Sequence, residues 1–544
     1  MGVNNNISRQ PLFWLALVLG GIILSPILWY GLGMDQAVYA YGAWVWKVYH
    51  LPPYIGEWDH NYPGIFLVHR LEMALFGESI LGFRIFDFIL QLCALAMIYF
   101  FARRLTDSGG VAFVTCLAYA LYYFGRGRWD AGQRDAFIFL CLLAGAFFCI
   151  AIERHPWLRA GLVGFFAGFA FLIRPTYGLT WLVFGAFILR GSDLKNWRRV
   201  LPQMLLFGFG CLAPALLVVL DYQRLGYLSE LWRAIVTYNF EVYSRLGSAV
   251  GRKTGMFWFF SKLNHLLGPQ PVFSLLGILS ILLAFRRSQT GSSIFQIFAL
   301  LFFLALVSLF SYLFMGEDLR YQLIPFWGLV ILISSIGVRA LGAMLENNLV
   351  DTPGKAAAWL FYSLILVTVY ACVPPDWTAF AERHAYRGLH QAYLAGTGVE
   401  DQFLSEDHYA AADYLKTLLG PGDGVEVFSA HPLIPYLIQR KLPSRFGMVQ
   451  QLMYGPAGKG ISLMQKSWIR EYTDAVIAEK PRFFVIADQG IYLQTPLSRP
   501  TIKTGLEELF PELWQFLGEN YRPLKKVGRT EIYEYSPGAA TSGQ

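Results

Sequence analysis

Charge is what this chain has least of. Only 15% of its 544 residues are Asp, Glu, Lys or Arg, where a soluble globular chain carries about 25%. Cysteine is sparse too. Cys93, Cys116, Cys141, Cys149, Cys211 and Cys372 all fall in or beside apolar runs, without metal-ligand spacing, and none follows Cys372. They read as small buried hydrophobes, and a disulfide framework is excluded for the C-terminal part. No glycine-rich phosphate loop and no nucleophile elbow occurs in residues 401–537, which argues against catalysis there. No A-x-A-like site follows the first apolar run, so a removable signal peptide is not expected. The alternating ten-residue pattern of a membrane β-barrel is missing as well.

What is present is apolar and aromatic: 55% hydrophobic residues, with Phe, Trp and Tyr at 17%. Eleven runs read as membrane-spanning helices, at 12–30, 81–101, 110–125, 134–152, 159–174, 176–190, 200–220, 271–285, 293–314, 321–341 and 356–373. The fold expected is a polytopic α-helical membrane protein. Residues 1–373 form its membrane domain, 374–400 a linker and 401–544 a soluble α/β domain. In that last domain helical patterns near 406–419, 461–479 and 504–517 alternate with strand-like runs at 425–429, 482–488 and 531–535. The net charge of +7 is assigned to membrane lipids and orientation, not to nucleic acid. Arg103, Arg104, Arg154, Arg159, Arg190, Lys195, Arg198, Arg199, Arg286, Arg287, Arg339 and Lys355 fall on one side of that topology, which is then cytoplasmic. The first outer loop (31–80), the second (221–270) and the C-terminal domain lie on the other side. The setting expected is a bacterial inner membrane, with a periplasmic C-terminal domain.

The outer side holds the chemistry. Asp35 follows the first span, and Glu57, Trp58, Asp59 and His60 come later in the same loop. Tyr39, Tyr41, Trp44, Trp46, Tyr49 and Tyr54 surround them in sequence, and such rings suit interfaces and stack on sugar faces. Residues 65–80, with His69, Arg70 and Glu72, read as an amphipathic helix on the membrane surface. In the second loop, LWRAIVTYNFEVYSRL reads as interfacial helix. Arg126, Arg128 and Arg134 in GRGRWDAGQRD, Arg174 in IRPTYG and Arg320 in EDLRYQLIP break the charge rule for an outer side. The guanidinium fork suits a lipid phosphate; intramembrane ion pairing, for instance of Arg320 with Glu317 or Asp318, is the alternative. A carboxylate can take the proton of an attacking hydroxyl while arginines stabilise a departing phosphate, so acid and arginines at a lipid boundary suggest transfer from a lipid phosphate. Glu57 and Asp59 also have an E-x-D spacing, the only candidate here for a divalent metal; otherwise no cofactor is expected.

Asp35-Gln36 with PPYIGEWDHNYPG, then GFRIFD (82–87), GQRDAFIFL (132–140), GFAFLIRPT (168–176) and RYQLIP (320–325), together resemble the GT-C membrane glycosyltransferases. That group includes the protein mannosyltransferases, the lipid A aminoarabinose transferase and the RgtA/B/C/D-like enzymes. The resemblance implies an enzyme that moves a sugar, with inversion, from a polyprenyl-phosphate donor to a hydroxyl of an extracytoplasmic glycan, lipid or protein. It makes Asp35 the general base. It places Asp59 and His60, with Tyr39, Glu57 and Trp58, at the sugar or acceptor, and offers Arg84, Arg126, Arg128, Arg134, Arg174 and Arg320 to the lipid phosphate. This chain departs from the pattern at Gln36, where some members carry a second acid, and at Asn61-Tyr62, where a lysine is often found. Asp130 and Asp135 either share the second acidic role or neutralise their arginine neighbours.

Two other classes fit parts of the sequence. A transporter or lipid flippase would use intramembrane charge, but would show polar residues at mid-depth in paired repeats. A non-catalytic membrane subunit would act through residues 401–537.

Overall fold

The computed structural model describes residues 10–190, 197–246, 271–287, 293–315, 319–348, 352–372, 405–456, 460–491 and 493–537. The expected linker 374–400, the pairing of Arg320 with Glu317 or Asp318, and the stretch 247–270 of the second outer loop lie outside them. The chain separates into two compact units. One comprises residues 1–31, 79–219 and 254–380; the other comprises 32–78, 220–253 and 381–544.

The first unit is helical. Its members are α1 (Pro11–Leu24), α4 (Ile80–Thr106), α5 (Gly109–Phe124), α6 (Gly127–Asp130), α7 (Arg134–Ala151), α8 (Pro156–Ile173), α9 (Thr180–Arg190), most of α10 (Trp197–Leu225), α13 (Pro271–Arg287), α14 (Ser293–Met315), α15 (Ile324–Asn348) and α16 (Thr352–Cys372). Among the described residues seven helices are long and apolar enough to cross a membrane, and Gly109–Phe124, Pro271–Ala284 and Ala356–Cys372 are shorter apolar helices. The chain is therefore a multi-pass membrane protein. The run 176–190 departs from expectation. Pro175 opens a short 3₁₀ turn, Pro175–Leu179, and only Thr180–Arg190 continues as α-helix. Small residues bring helices close, as membrane packing requires. A Cβ on Gly164 or Gly168 of α8 would overlap the backbone oxygens of Phe207 and Cys211 on α10.

The second unit gathers three distant stretches of sequence. The first outer loop supplies α2 (Met34–Tyr49) and α3 (Gly64–Phe76), and the second supplies α11 (Leu228–Trp232) and α12 (Asn239–Glu241), joined by a π-helical turn. By its contacts the first outer loop thus belongs with the C-terminal domain, not with the membrane domain to which the sequence assigned it. That domain runs α17 (Ser405–Leu418), β1 (Val425–Phe428), α18 (Leu433–Ile438), α19 (Gln450–Met453), α20 (Leu463–Glu479), β2 (Phe483–Ala487), α21 (Ile502–Leu509), α22 (Pro511–Asn520), β3 (Tyr521–Val527) and β4 (Thr530–Tyr535). The sheet order is β1-β2-β4-β3. β1 and β2 are parallel, with Val425 opposite Phe483; β4 is antiparallel to both β2 and β3. Both parallel strands are wholly buried, which is why they read as unbroken apolar runs. The helix expected at 504–517 divides at Pro511, which opens α22 at its first position.

α3 inverts the usual amphipathic order. Leu71, Leu75 and Phe76 are exposed, whereas His69 and Glu72 are fully buried. An outward apolar face suits a helix that borders lipid.

Candidate active site

Asp35 stands in the first turn of α2. Gly33 is the N-cap, and the Gln36 side-chain oxygen accepts the Gly33 N–H at 3.1 Å. Gln36 thus does a capping job in this chain. A carboxylate in the first helical turn is favoured by the helix dipole, and Asp35 is half-buried, whereas Gln36 to Val45 are buried. Tyr39, one turn on, is buried edge-on against Phe66 at 5.7 Å.

The second acidic cluster is fixed by the C-terminal domain. The Trp58 N–H donates to the Arg445 carbonyl at 2.6 Å. Its indole is buried among Tyr238 (4.8 Å), Trp468 (4.6 Å) and Phe446 (6.1 Å). Trp58 and Tyr39 are only 1% exposed, so the sugar-stacking role read from the sequence is corrected: both rings are core. Arg445 holds Glu471 with two bonds, at 2.7 and 3.0 Å, and also donates to Glu230 and to the Tyr54 carbonyl. Glu57 is buried and accepts the Gly447 N–H at 3.2 Å. A Cβ at Gly447 would sit 2.7 Å from the Glu57 carboxylate and 2.9 Å from Pro432 Cβ, so a side chain there would displace Glu57. Burial drives the Glu57 carboxyl well above its usual range, against the pull of the Gly447 amide. Asp59 takes the opposite course. Burial opposes its ionisation, but bonds from His60, Asn61 and Gln451 outweigh it and hold Asp59 below the ordinary carboxylate range. Its Oδ1 accepts the His60 N–H at 2.7 Å and the Gln451 Nε2–H at 2.9 Å; its Oδ2 accepts from Asn61 at 2.9 Å. His60 keeps an exposed edge and packs on Tyr243 at 4.3 Å. Glu57 and Asp59 thus face different partners, and among the described residues no group of three His, Cys, Asp or Glu side chains is placed to hold a metal.

The arginines lie in the first unit. Two residues of GFRIFD shape the loop that carries most of them. Arg84 is fully buried. It donates to the carbonyls of Tyr30 (3.2 Å), Ala131 (2.8 Å), Arg128 (3.5 Å) and Gly31. Asp87 accepts from the Tyr123 hydroxyl at 2.8 Å, and that hydroxyl accepts the Gly132 N–H at 2.8 Å. Gly132 has φ +76°, and a Cβ there would press on Arg84 and Phe83. Arg84, expected at the lipid phosphate, is thereby corrected to a clamp on backbone carbonyls.

Within the clamped loop Arg126 lies over the Tyr122 ring at 4.8 Å and Arg128 over Trp129 at 5.1 Å. Arg134 is the first residue of α7. Burial lifts Asp130 to about 6, with Arg126 and Arg320 pulling it back down. Arg174 is 4% exposed and donates to Asp135 at 2.9 Å, so Asp135 neutralises an arginine neighbour. Arg320 is exposed. The structure thus gathers Arg126, Asp130 and Arg320, although nearly 200 positions separate the first from the last. Sequence reasoning missed Gln451, Tyr238, Asn239 and Arg445, which lie far from the loop they hold; only their side-chain chemistry marked them.

The comparisons with known proteins fall on this geometry. The sequence profile of the family described as dolichyl-phosphate-mannose-protein mannosyltransferase matches residues 59–228. No curated protein matches the chain by sequence. Two solved structures of ArnT from Cupriavidus metallidurans are similar in fold. The apo form has a TM-score of 0.58 and 12% identity, covering 98% of this chain and 98% of that one. The form bound to undecaprenyl phosphate has a TM-score of 0.55 and 12% identity, covering 98% and 99%. The fold is thus similar to that of these ArnT structures, a body of membrane-length helices together with a small α/β sheet domain.

Proposed function

We propose that this protein is a membrane glycosyltransferase that moves one sugar from a polyprenyl phosphate to a hydroxyl of an extracytoplasmic acceptor. The observation that carries the reading is the fold match along nearly the whole chain to a protein solved with undecaprenyl phosphate. The mannosyltransferase profile over residues 59–228 adds to it. In the reaction the acceptor oxygen bonds to the anomeric carbon as the anomeric C–O bond to phosphate breaks. The electron pair leaves with the polyprenyl phosphate, and Asp35 takes the hydroxyl proton. Arg126, Arg128, Arg134 and Arg320 stabilise the charge that grows on the phosphate. Arg174, paired with Asp135, supports that field from within the bundle. Attack and departure in one displacement invert the sugar. No metal is required, because guanidinium groups supply the positive charge. The acceptor is a glycan, lipid or protein of the cell envelope, and the soluble domain lies outside the cytoplasm of a bacterial inner membrane.

The test uses membranes containing the protein, polyprenyl-phosphate sugars and envelope extract from the source cells. We expect sugar to appear on the acceptor with inverted anomeric configuration, equimolar polyprenyl phosphate, and no change with EDTA. Retention of configuration would refute the single displacement. EDTA sensitivity would return Glu57 and Asp59 to consideration as metal ligands. Movement of an intact lipid without bond cleavage would favour a flippase.

A further inference from the structure

The sequence of the C-terminal domain shows no glycine-rich phosphate loop and no nucleophile elbow, yet one of its side chains reaches the acidic cluster of the first outer loop. Gln451 sits in the four-residue helix α19 and is fully buried. Its amide nitrogen donates to Asp59 Oδ1 at 2.9 Å and lies 3.1 Å from His60 Nδ1. Its backbone carbonyl accepts from the Tyr238 hydroxyl at 2.8 Å and from Gln465 Nε2 at 3.0 Å. Gln465 in turn completes the capping box of α20 with Ser462. Asn239 donates to the His60 carbonyl at 3.0 Å. Both the backbone and the side chain of Gln451 are therefore fixed, and His60 is fixed at its backbone and at one ring nitrogen.

This arrangement decides which hydrogen the imidazole carries. An amide N–H of Gln451 points at Nδ1, so in the neutral ring Nδ1 is the acceptor and the hydrogen resides on Nε2. In the protonated ring Nδ1–H turns to Asp59 Oδ1, 3.2 Å away, and Nε2 again carries a hydrogen. In both of these states Nε2 is a donor; the remaining tautomer, with Nδ1–H on Asp59 Oδ1 and a bare Nε2, would forgo the Gln451 bond to Nδ1. Nε2 makes no hydrogen bond among the described residues, and the side chain is 13% exposed. With Gln451 donating to Nδ1, the ring offers a hydrogen bond from Nε2 to an oxygen.

We infer that Gln451 is a positioning residue, and that through it the C-terminal domain sets His60 to donate from Nε2 to an oxygen of the acceptor. The inference rests on the glycosyltransferase reading and adds acceptor recognition to it. His60 binds, and Asp35 takes the proton.

The experiment is a double-mutant cycle in the membrane transfer assay, with envelope extract as the acceptor probe and both KM values measured. His60→Ala and Gln451→Met should each raise the acceptor KM about tenfold, the worth of one hydrogen bond, and leave the donor KM within about twofold. The double variant should be no worse than the weaker single, because the two act through one contact. His60→Gln, which keeps a donor, should recover part of the loss. Multiplicative effects, a raised donor KM, or His60→Ala indistinguishable from wild type would each overturn the inference while leaving the functional reading in place. Absence of transfer by the wild type would overturn both. If Gln451→Met does not fold, the comparison of His60→Ala with His60→Gln decides alone.

Discussion

Arg84 shows how far residue type alone carries an argument. An arginine in a motif such as GFRIFD invites a phosphate, and guanidinium is suited to one. The structure directs that fork at backbone carbonyls on both sides of it. Arg84→Lys should therefore cost stability, about 3 kcal/mol from several charge-assisted bonds to buried carbonyls. The thermal midpoint of the purified protein measures it. An unchanged midpoint with a raised donor KM would restore Arg84 to the phosphate. Trp58 teaches the same lesson from the aromatic side. An outer-loop tryptophan reads as a sugar platform, but the rings that enclose it come from residues 238, 446 and 468, which no local pattern connects to it. Asp35 and His60 stood out in the sequence as candidate site residues because acid and imidazole are rare at a lipid boundary. Gln451 did not, since a buried glutamine has no period or spacing to mark it.

Elements were read more securely than residues. The apolar runs fall on helices because a span must satisfy its own backbone within the helix, and that demand leaves long uninterrupted apolar stretches. The run 176–190 fell short because Pro175 sets a 3₁₀ turn before the α-helix begins. β3 escaped notice for a comparable reason. YRPLKKV is an exposed edge strand with a proline and two lysines, the features that keep an edge from pairing further. α3 offers a prediction at this scale. Burial lifts Glu72 to about 8, with Lys47 opposing it, whereas an unfolded glutamate ionises near about 4.3. Between those values the folded chain holds a proton that the unfolded chain has lost. Stability from this group is therefore present at low pH and falls as pH rises through that window. Glu72→Gln should flatten the dependence of the thermal midpoint on pH between 5 and 8 and raise the midpoint at pH 8. An unaltered pH slope would mean that Glu72 is ionised in the folded protein.

At the scale of the molecule, the sequence placed the outer loops with the membrane helices because they lie between them in the chain. The contacts place residues 32–78 and 220–253 in one compact unit with the C-terminal domain. The reason is physical: Trp58, Glu57 and Asp59 are stabilised by Arg445, Gly447 and Gln451, and those partners are nearly 400 residues away. A domain boundary drawn from composition cannot see such pairings. The arginine loop was legible as unusual, because positive charge on the side expected to be translocated calls for a use, but its scaffold of Arg84, Asp87, Tyr123 and Gly132 was not. The proposed chemistry turns on Asp35, which accepts the proton as the sugar leaves its lipid phosphate. The measurement that tests it most directly is the rate of sugar transfer by wild type and by Asp35→Asn in membranes with matched protein levels. Loss of a general base predicts a fall of about 10²–10⁴-fold with the donor KM little changed. Transfer by Asp35→Asn at the wild-type rate would contradict the claim and move the base to another carboxylate.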